Sequence, residues 1–113
     1  MKEEILRELI KGLCDIFVDS LDSIILYGSY ARNEEREDSD VDIAVVLKCA
    51  MNDSVKNEFL KFMSRMDLKY DKVFSGVDIE RDMLLKWGKI LPFYKNVLNE
   101  GIVLWKAAYR CYC

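Results

Sequence analysis

Apolar residues fall at Ile5, Leu6, Leu9, Ile10, Leu13, Ile16 and Phe17, the three-and-four spacing that turns one stripe of an α-helix toward a core. That spacing predicts a helix over residues 2–18. The segment Ser23-Ile24-Ile25-Leu26-Tyr27 is short, β-branched and stopped by Gly28, which predicts a buried strand. The chain is then polar from Ser29 to Ser39, before a nearly continuous apolar run from Val41 to Leu47, the pattern of a central strand covered on both faces. Asn52-Asp53-Ser54 supplies helix caps ahead of the stripe Val55, Phe59, Phe62, Met63 and Met66. A third strand is expected from Lys72 to about Ile79, followed by a short helix around Met83, Leu84 and Trp87. Pro92 and Gly101 then bracket Phe93, Tyr94, Val97 and Leu98 in the usual start and stop positions of a helix. Ile102 to Trp105 would add an edge strand, and the tail from Lys106 to Cys113 carries no readable element.

Strands alternating with helices predict an α/β fold, a small mixed β-sheet flanked by helices. The helix that begins near Asp53 makes a crossover, and crossovers join parallel strands. No repeat, linker or low-complexity segment interrupts the pattern, so residues 1–113 are read as one domain with a core over 20–105. A domain of this size has little left over for a second lobe that would enclose a sizeable substrate, so an acceptor is expected to be supplied by something else.

Composition narrows the chemistry. The net charge of -3, with Lys and Arg scattered, argues against holding duplex nucleic acid, which calls for a basic face. Met1-Lys2-Glu3-Glu4 has acids where a signal peptide needs a basic then apolar run, and no apolar stretch approaches the roughly 20 residues of a membrane span. A cytoplasmic protein without a membrane partner is the expectation. Cys14, Cys49, Cys111 and Cys113, without any histidine, offer no zinc pattern and read as reduced thiols. The absence of histidine also removes every Ser-His or Cys-His nucleophile arrangement. Chemistry must rest on carboxylates, metals, backbone groups and Lys/Arg.

Asp40 and Asp42 lie at the entrance to the second strand, where a side-chain period of two points both to the same face. Two hard carboxylates side by side repel unless a cation neutralises them, and oxygen ligands select magnesium or manganese. An isolated Asp-x-Asp is more often a pair of solvated loop acids, but here Ile43-Ala44-Val45-Val46 follows at once, which sets the acids at the mouth of a buried strand. Gly28-Ser29 ends the first strand, and glycine there lets backbone N–H groups and the serine hydroxyl approach a phosphate. Gly-Ser alone is more often a turn. If the two strands are antiparallel neighbours, Ser29 and Asp40 share one edge of the sheet.

Gly28-Ser29-Tyr30-Ala31-Arg32, with ten residues between Ser29 and Asp40, followed by Val41-Asp42, resembles the signature of the DNA-polymerase-β-like nucleotidyltransferases, and specifically the minimal, antitoxin-type branch. The likeness is close over residues 24–47, where strand, Gly-Ser, short helix, Asp-x-Asp and strand follow in the family's order. It is looser through Trp105, and Asn33 stands where relatives usually have Gly. The resemblance implies the family's palm-like fold and a reaction in which two magnesium ions held by Asp40 and Asp42 clamp ATP, an acceptor oxygen attacks the α-phosphorus and pyrophosphate leaves. It implies that Gly28 and Ser29 grip the β- and γ-phosphates. Arg32 is either a further contact to that charge or a surface salt-bridge arginine.

A third carboxylate usually completes such sites, and Asp71 and Asp78 are the candidates. With parallel second and third strands, Asp71 begins near Asp40 and Asp42, whereas Asp78 lies seven residues on, roughly 23 Å further at the strand rise. Asp71 is therefore chosen as the third acid and metal ligand. The same resemblance implies AMP transfer to a tyrosine of a HEPN-domain RNase. The alternative is a module that keeps the fold and silences a HEPN partner by docking alone, and self-association is left open.

Overall fold

The computed structural model describes residues 2–34, 36 and 39–107. The N-terminal stripe forms α1, Glu3–Phe17, and turns Ile5, Leu9, Leu13 and Phe17 into the core. A 3-10 turn at Val18–Ser20 leads into β1, Leu21–Tyr27, which begins two residues before the predicted strand. β2 runs from Val41 to Leu47. Asn52 caps α2, Asp53–Tyr70, by accepting the Val55 N–H at 2.8 Å, satisfying one of the donors a helix N-terminus leaves free. β3, Phe74–Glu80, passes directly into α3, Arg81–Trp87. α4, Pro92–Glu100, has proline in its first turn and Gly101 as its C-cap, and β4 follows at Ile102–Lys106.

The four strands form one mixed sheet in the order β3-β2-β1-β4. β1 pairs antiparallel with both β2 and β4, while β2 and β3 are parallel, as the α2 crossover requires. Val41, Ile43, Val45 and Leu47 pack with α1 and α2 on one face of the sheet. Ala44 and Val46 lie on the other, with Ile25, Ile79, Leu84 of α3 and Val97 of α4. Both sides of β2 are thus covered, which explains its unbroken apolar run.

β3 starts at Phe74, two residues later than expected. Asp71, the C-cap of α2, adopts a left-handed conformation at φ 50°, and the Lys72 N–H still reaches back to the Asp67 carbonyl at 3.3 Å. Both residues are spent closing the helix. The segment after Gly28 also differs from the short helix expected. The Arg32 N–H donates to the Gly28 carbonyl at 3.1 Å, the Glu34 N–H to that of Ser29 at 2.9 Å, and Asn33 sits at φ 60°. A left-handed residue stops helix propagation after a single turn, and asparagine tolerates that conformation better than most residues. Glu35, Glu37, Asp38, Cys111 and Cys113 fall outside the described residues, as does most of the expected tail, while Cys14 and Cys49 are free thiols.

Leu9 is 0% exposed, so Leu9→Ala is expected to cost about 2–5 kcal/mol of stability. Asn52→Ala, which removes only a cap, is expected to cost about 1 kcal/mol. Urea denaturation read by circular dichroism should show both as lower midpoints, Leu9→Ala much the lower, with unchanged slopes.

Candidate active site

The end of β1, the start of β2 and the segment leading into β3 converge at one edge of the sheet. Tyr27 stands opposite Asp42 in the antiparallel register, and Asp42 pairs with Ser75 across the parallel one. Gly28 follows at φ 74°, and a Cβ added there would overlap the Asp42 Oδ2 atom and lie 3.1 Å from its Cγ. Glycine is required at this position twice over, for the left-handed backbone and for the space that the carboxylate fills. The turn beyond it engages the amides of Ala31, Arg32, Asn33 and Glu34 in its own hydrogen bonds. The Ser29 and Tyr30 amides donate to none of the described residues, and a turn that follows glycine at positive φ is the kind of backbone that can offer such donors to an anion.

Electrostatics separate the two acids. Asp40 is exposed, whereas Asp42 is partly buried. Burial and then the neighbouring Asp40 charge push the Asp42 carboxyl above its usual range, with Arg32 pulling the other way. A carboxylate destabilised by both desolvation and a like charge favours a bound cation. Magnesium is commonly held by one or two carboxylates with phosphate oxygens completing its shell, so the Asp40–Asp42 pair fits that ion. Among the described residues, no group of three or more acids, cysteines or histidines gathers as a metal site.

Asp71 lies at the same sheet edge, on the exposed cap of α2, outside any such three-ligand set. Val73, two residues on, accepts the Val41 N–H at 2.8 Å. Asp78 is level with Val45, deeper along the strand. Side chains alternate, and Gly76 faces Phe59 and Met63 of α2, so Asp78 points to the α2 side while Asp42 points to the opposite face. Beside Asp42 on β3 the side chain is Ser75. Arg32 takes the salt-bridge role foreseen for it. Its Nε donates to Glu34 and its Nη1 to Glu100, each at 3.2 Å, and its charge still reaches Asp42.

Residues 6–103 match the family described as nucleotidyltransferase domain. The chain belongs to that family. A "putative protein adenylyltransferase" of Methanocaldococcus jannaschii is 40% identical over 99 residues, covering 88% of this nucleotidyltransferase and 94% of the relative. A second of that name and organism is 31% identical over 104 residues, covering 92% and 98%. The complex of a tri-AMPylated Shewanella oneidensis HEPN toxin with its MNT antitoxin is similar with a TM-score of 0.61 at 21% identity, over 95% of this chain and 74% of that one. The spectinomycin adenyltransferase AAD(9) from Enterococcus faecialis, with ATP and spectinomycin, gives 0.66 at 17% identity, over 77% and 37%. These structural likenesses show the nucleotidyltransferase fold.

Three neighbours of the site were not apparent in the sequence of the nucleotidyltransferase. Tyr27 is identified by the register that sets it across from Asp42; burial and then the Asp42 charge push its phenol up. Lys72 reaches Tyr30, donating from Nζ to Oη at 3.2 Å. Glu100 holds Arg32 from 68 positions away. Only Tyr27 carried a local signal, as the last strand residue before the glycine.

Because its folded-state carboxyl is raised, Asp42 contributes stability that is present at low pH and lost as pH rises through its folded pKa. In chelator at neutral pH, Asp42→Asn is expected to melt at a higher temperature than the parent. Melting curves taken down through pH 3 should show that advantage shrink as the parent's carboxyl becomes protonated.

Proposed function

We propose that this nucleotidyltransferase moves AMP from ATP onto a tyrosine hydroxyl of a HEPN-domain partner and silences that partner, as an antitoxin does. The observation that carries the reading is the contact of Gly28 with Asp42, which joins a phosphate-binding turn to a carboxylate pair. Two relatives named protein adenylyltransferases and the likeness to a complex holding a tri-AMPylated HEPN toxin support the acceptor class. No helix among the described residues is long and apolar enough to cross a membrane. We place the enzyme in the cytoplasm, where its two described free thiols stay reduced.

In this reading the Ser29 and Tyr30 amides and the Ser29 hydroxyl bind the β- and γ-phosphates, and Arg32 adds charge beside them. Asp40 and Asp42 would hold magnesium, which supplies positive charge against the triphosphate and the charge developing on transfer. The acceptor oxygen forms a bond to the α-phosphorus as the bond to the β-phosphate bridge breaks, and pyrophosphate leaves. Asp71 is the third acid, placed at the entrance to take the phenolic proton. A phenol is a poor nucleophile at neutral pH, so holding oxygen and phosphorus in line is the larger part of the task. The second reading is silencing of the partner by docking alone.

Incubating the enzyme and a HEPN partner with ATP and magnesium, then weighing the partner by intact-mass spectrometry, is expected to show one or more AMP additions. Asp40→Ala should give none, and a stable complex of unchanged mass would favour docking. Asp71→Asn is expected to slow transfer by about 100-fold or more while Mg-ATP binding measured by calorimetry persists. Asp78→Asn should leave the rate within about threefold of the parent, the change expected of a surface substitution; the reverse ranking would make Asp78 the third acid.

A further inference from the structure

The face of the sheet that carries Asp42 continues into an aromatic surface. Tyr27 is directly across from Asp42, and Phe93 stands edge-on to it, with ring centroids 5.6 Å apart and planes at 83°. Phe93 also meets Tyr94 at 5.5 Å and 68°. Phe93 follows Pro92 in the first turn of α4, where the Lys95 N–H donates to the Leu91 carbonyl at 2.9 Å, so the ring is mounted on an ordered helix start.

Packing alone does not account for this ring. α4 already covers the sheet with Val97, which is 1% exposed, whereas Phe93 is 39% exposed. The ring meets Tyr27 and Tyr94 at steep angles, not stacked face to face on either, and its exposed part is open to a further partner. A large open ring, one residue removed from a carboxylate that sits against a phosphate-binding turn, offers what a nucleobase needs and an inorganic polyphosphate cannot use.

We propose that Phe93 is the stacking platform for the base of the nucleoside triphosphate whose phosphates lie at Gly28-Ser29 and Asp40–Asp42. The inference rests on the nucleotide reading of that site and adds where the nucleoside goes. Every base has a π-face, so the platform separates nucleotides from bare polyphosphate and ranks purines above pyrimidines only through stacking area.

The test is calorimetric titration of Mg-ATP and of Mg-tripolyphosphate into the parent, Phe93→Leu, Phe93→Ala and Phe93→Trp, each checked for an intact melting transition. Phe93→Leu keeps apolar bulk over Tyr27 but removes the π-face. It is expected to weaken ATP about 5- to 140-fold, the range that corresponds to stacking on one aromatic side chain. Tripolyphosphate should change by less than about twofold, within the scatter of distant substitutions, and Phe93→Trp should restore ATP affinity. Loss of both ligands alike, or of neither, overturns the platform while the phosphate site stands. A parent that binds neither ligand overturns the nucleotide reading and the platform with it. If Phe93→Ala does not fold, the Leu and Trp variants decide the question.

Discussion

The close approach of Gly28 to Asp42 is the constraint around which the rest of the molecule is arranged. A strand residue with a side chain could not turn at φ 74° against a neighbouring carboxylate, so β1 would have to end elsewhere or β2 would have to draw back. With glycine in place, the turn that follows β1 abuts an acid on the next strand. The remaining architecture holds that edge still. α1 and α2 pack one face of the sheet, α3 and α4 the other, and the α2 crossover brings the start of β3 alongside the start of β2.

The site is also a place where folding and chemistry pull apart. Burial and the charge of Asp40 both disfavour an ionised Asp42, yet the ionised form is the one a divalent cation requires. The surrounding core supplies the stability that the acid pair withdraws. Arg32 moderates the cost only partly, because Glu34 and Glu100 share its guanidinium.

Much of this was legible from residue order. The α1 stripe, the apolar run of β2, the Asn52 cap and the Pro92 and Gly101 brackets each express a local rule, and local rules survive tertiary context when they agree with it. The acid pair was legible because a buried strand follows it immediately. What was not legible depends on contacts distant in sequence or on a single backbone angle. The late start of β3 follows from the left-handed cap at Asp71, and the shortened helix after Gly28 from Asn33 at φ 60°. The neighbour of Asp42 on β3 is set by register alone, and a register is a relation between two strands that neither contains. The Tyr27–Phe93 contact likewise joins positions that no local pattern connects.

The strand order has a consequence for how the protein is made. β1 leads into the Gly28 turn, but one of its two hydrogen-bonding edges is covered only by β4, the last element of the described chain. During synthesis the acids and the glycine turn emerge well before that covering strand. Until Ile102–Lys106 arrives, the nascent chain carries β1 with an unpaired flank, the kind of template that neighbouring polypeptides can extend. Completion of the sheet and protection against templated aggregation are therefore both deferred to the same five-residue strand.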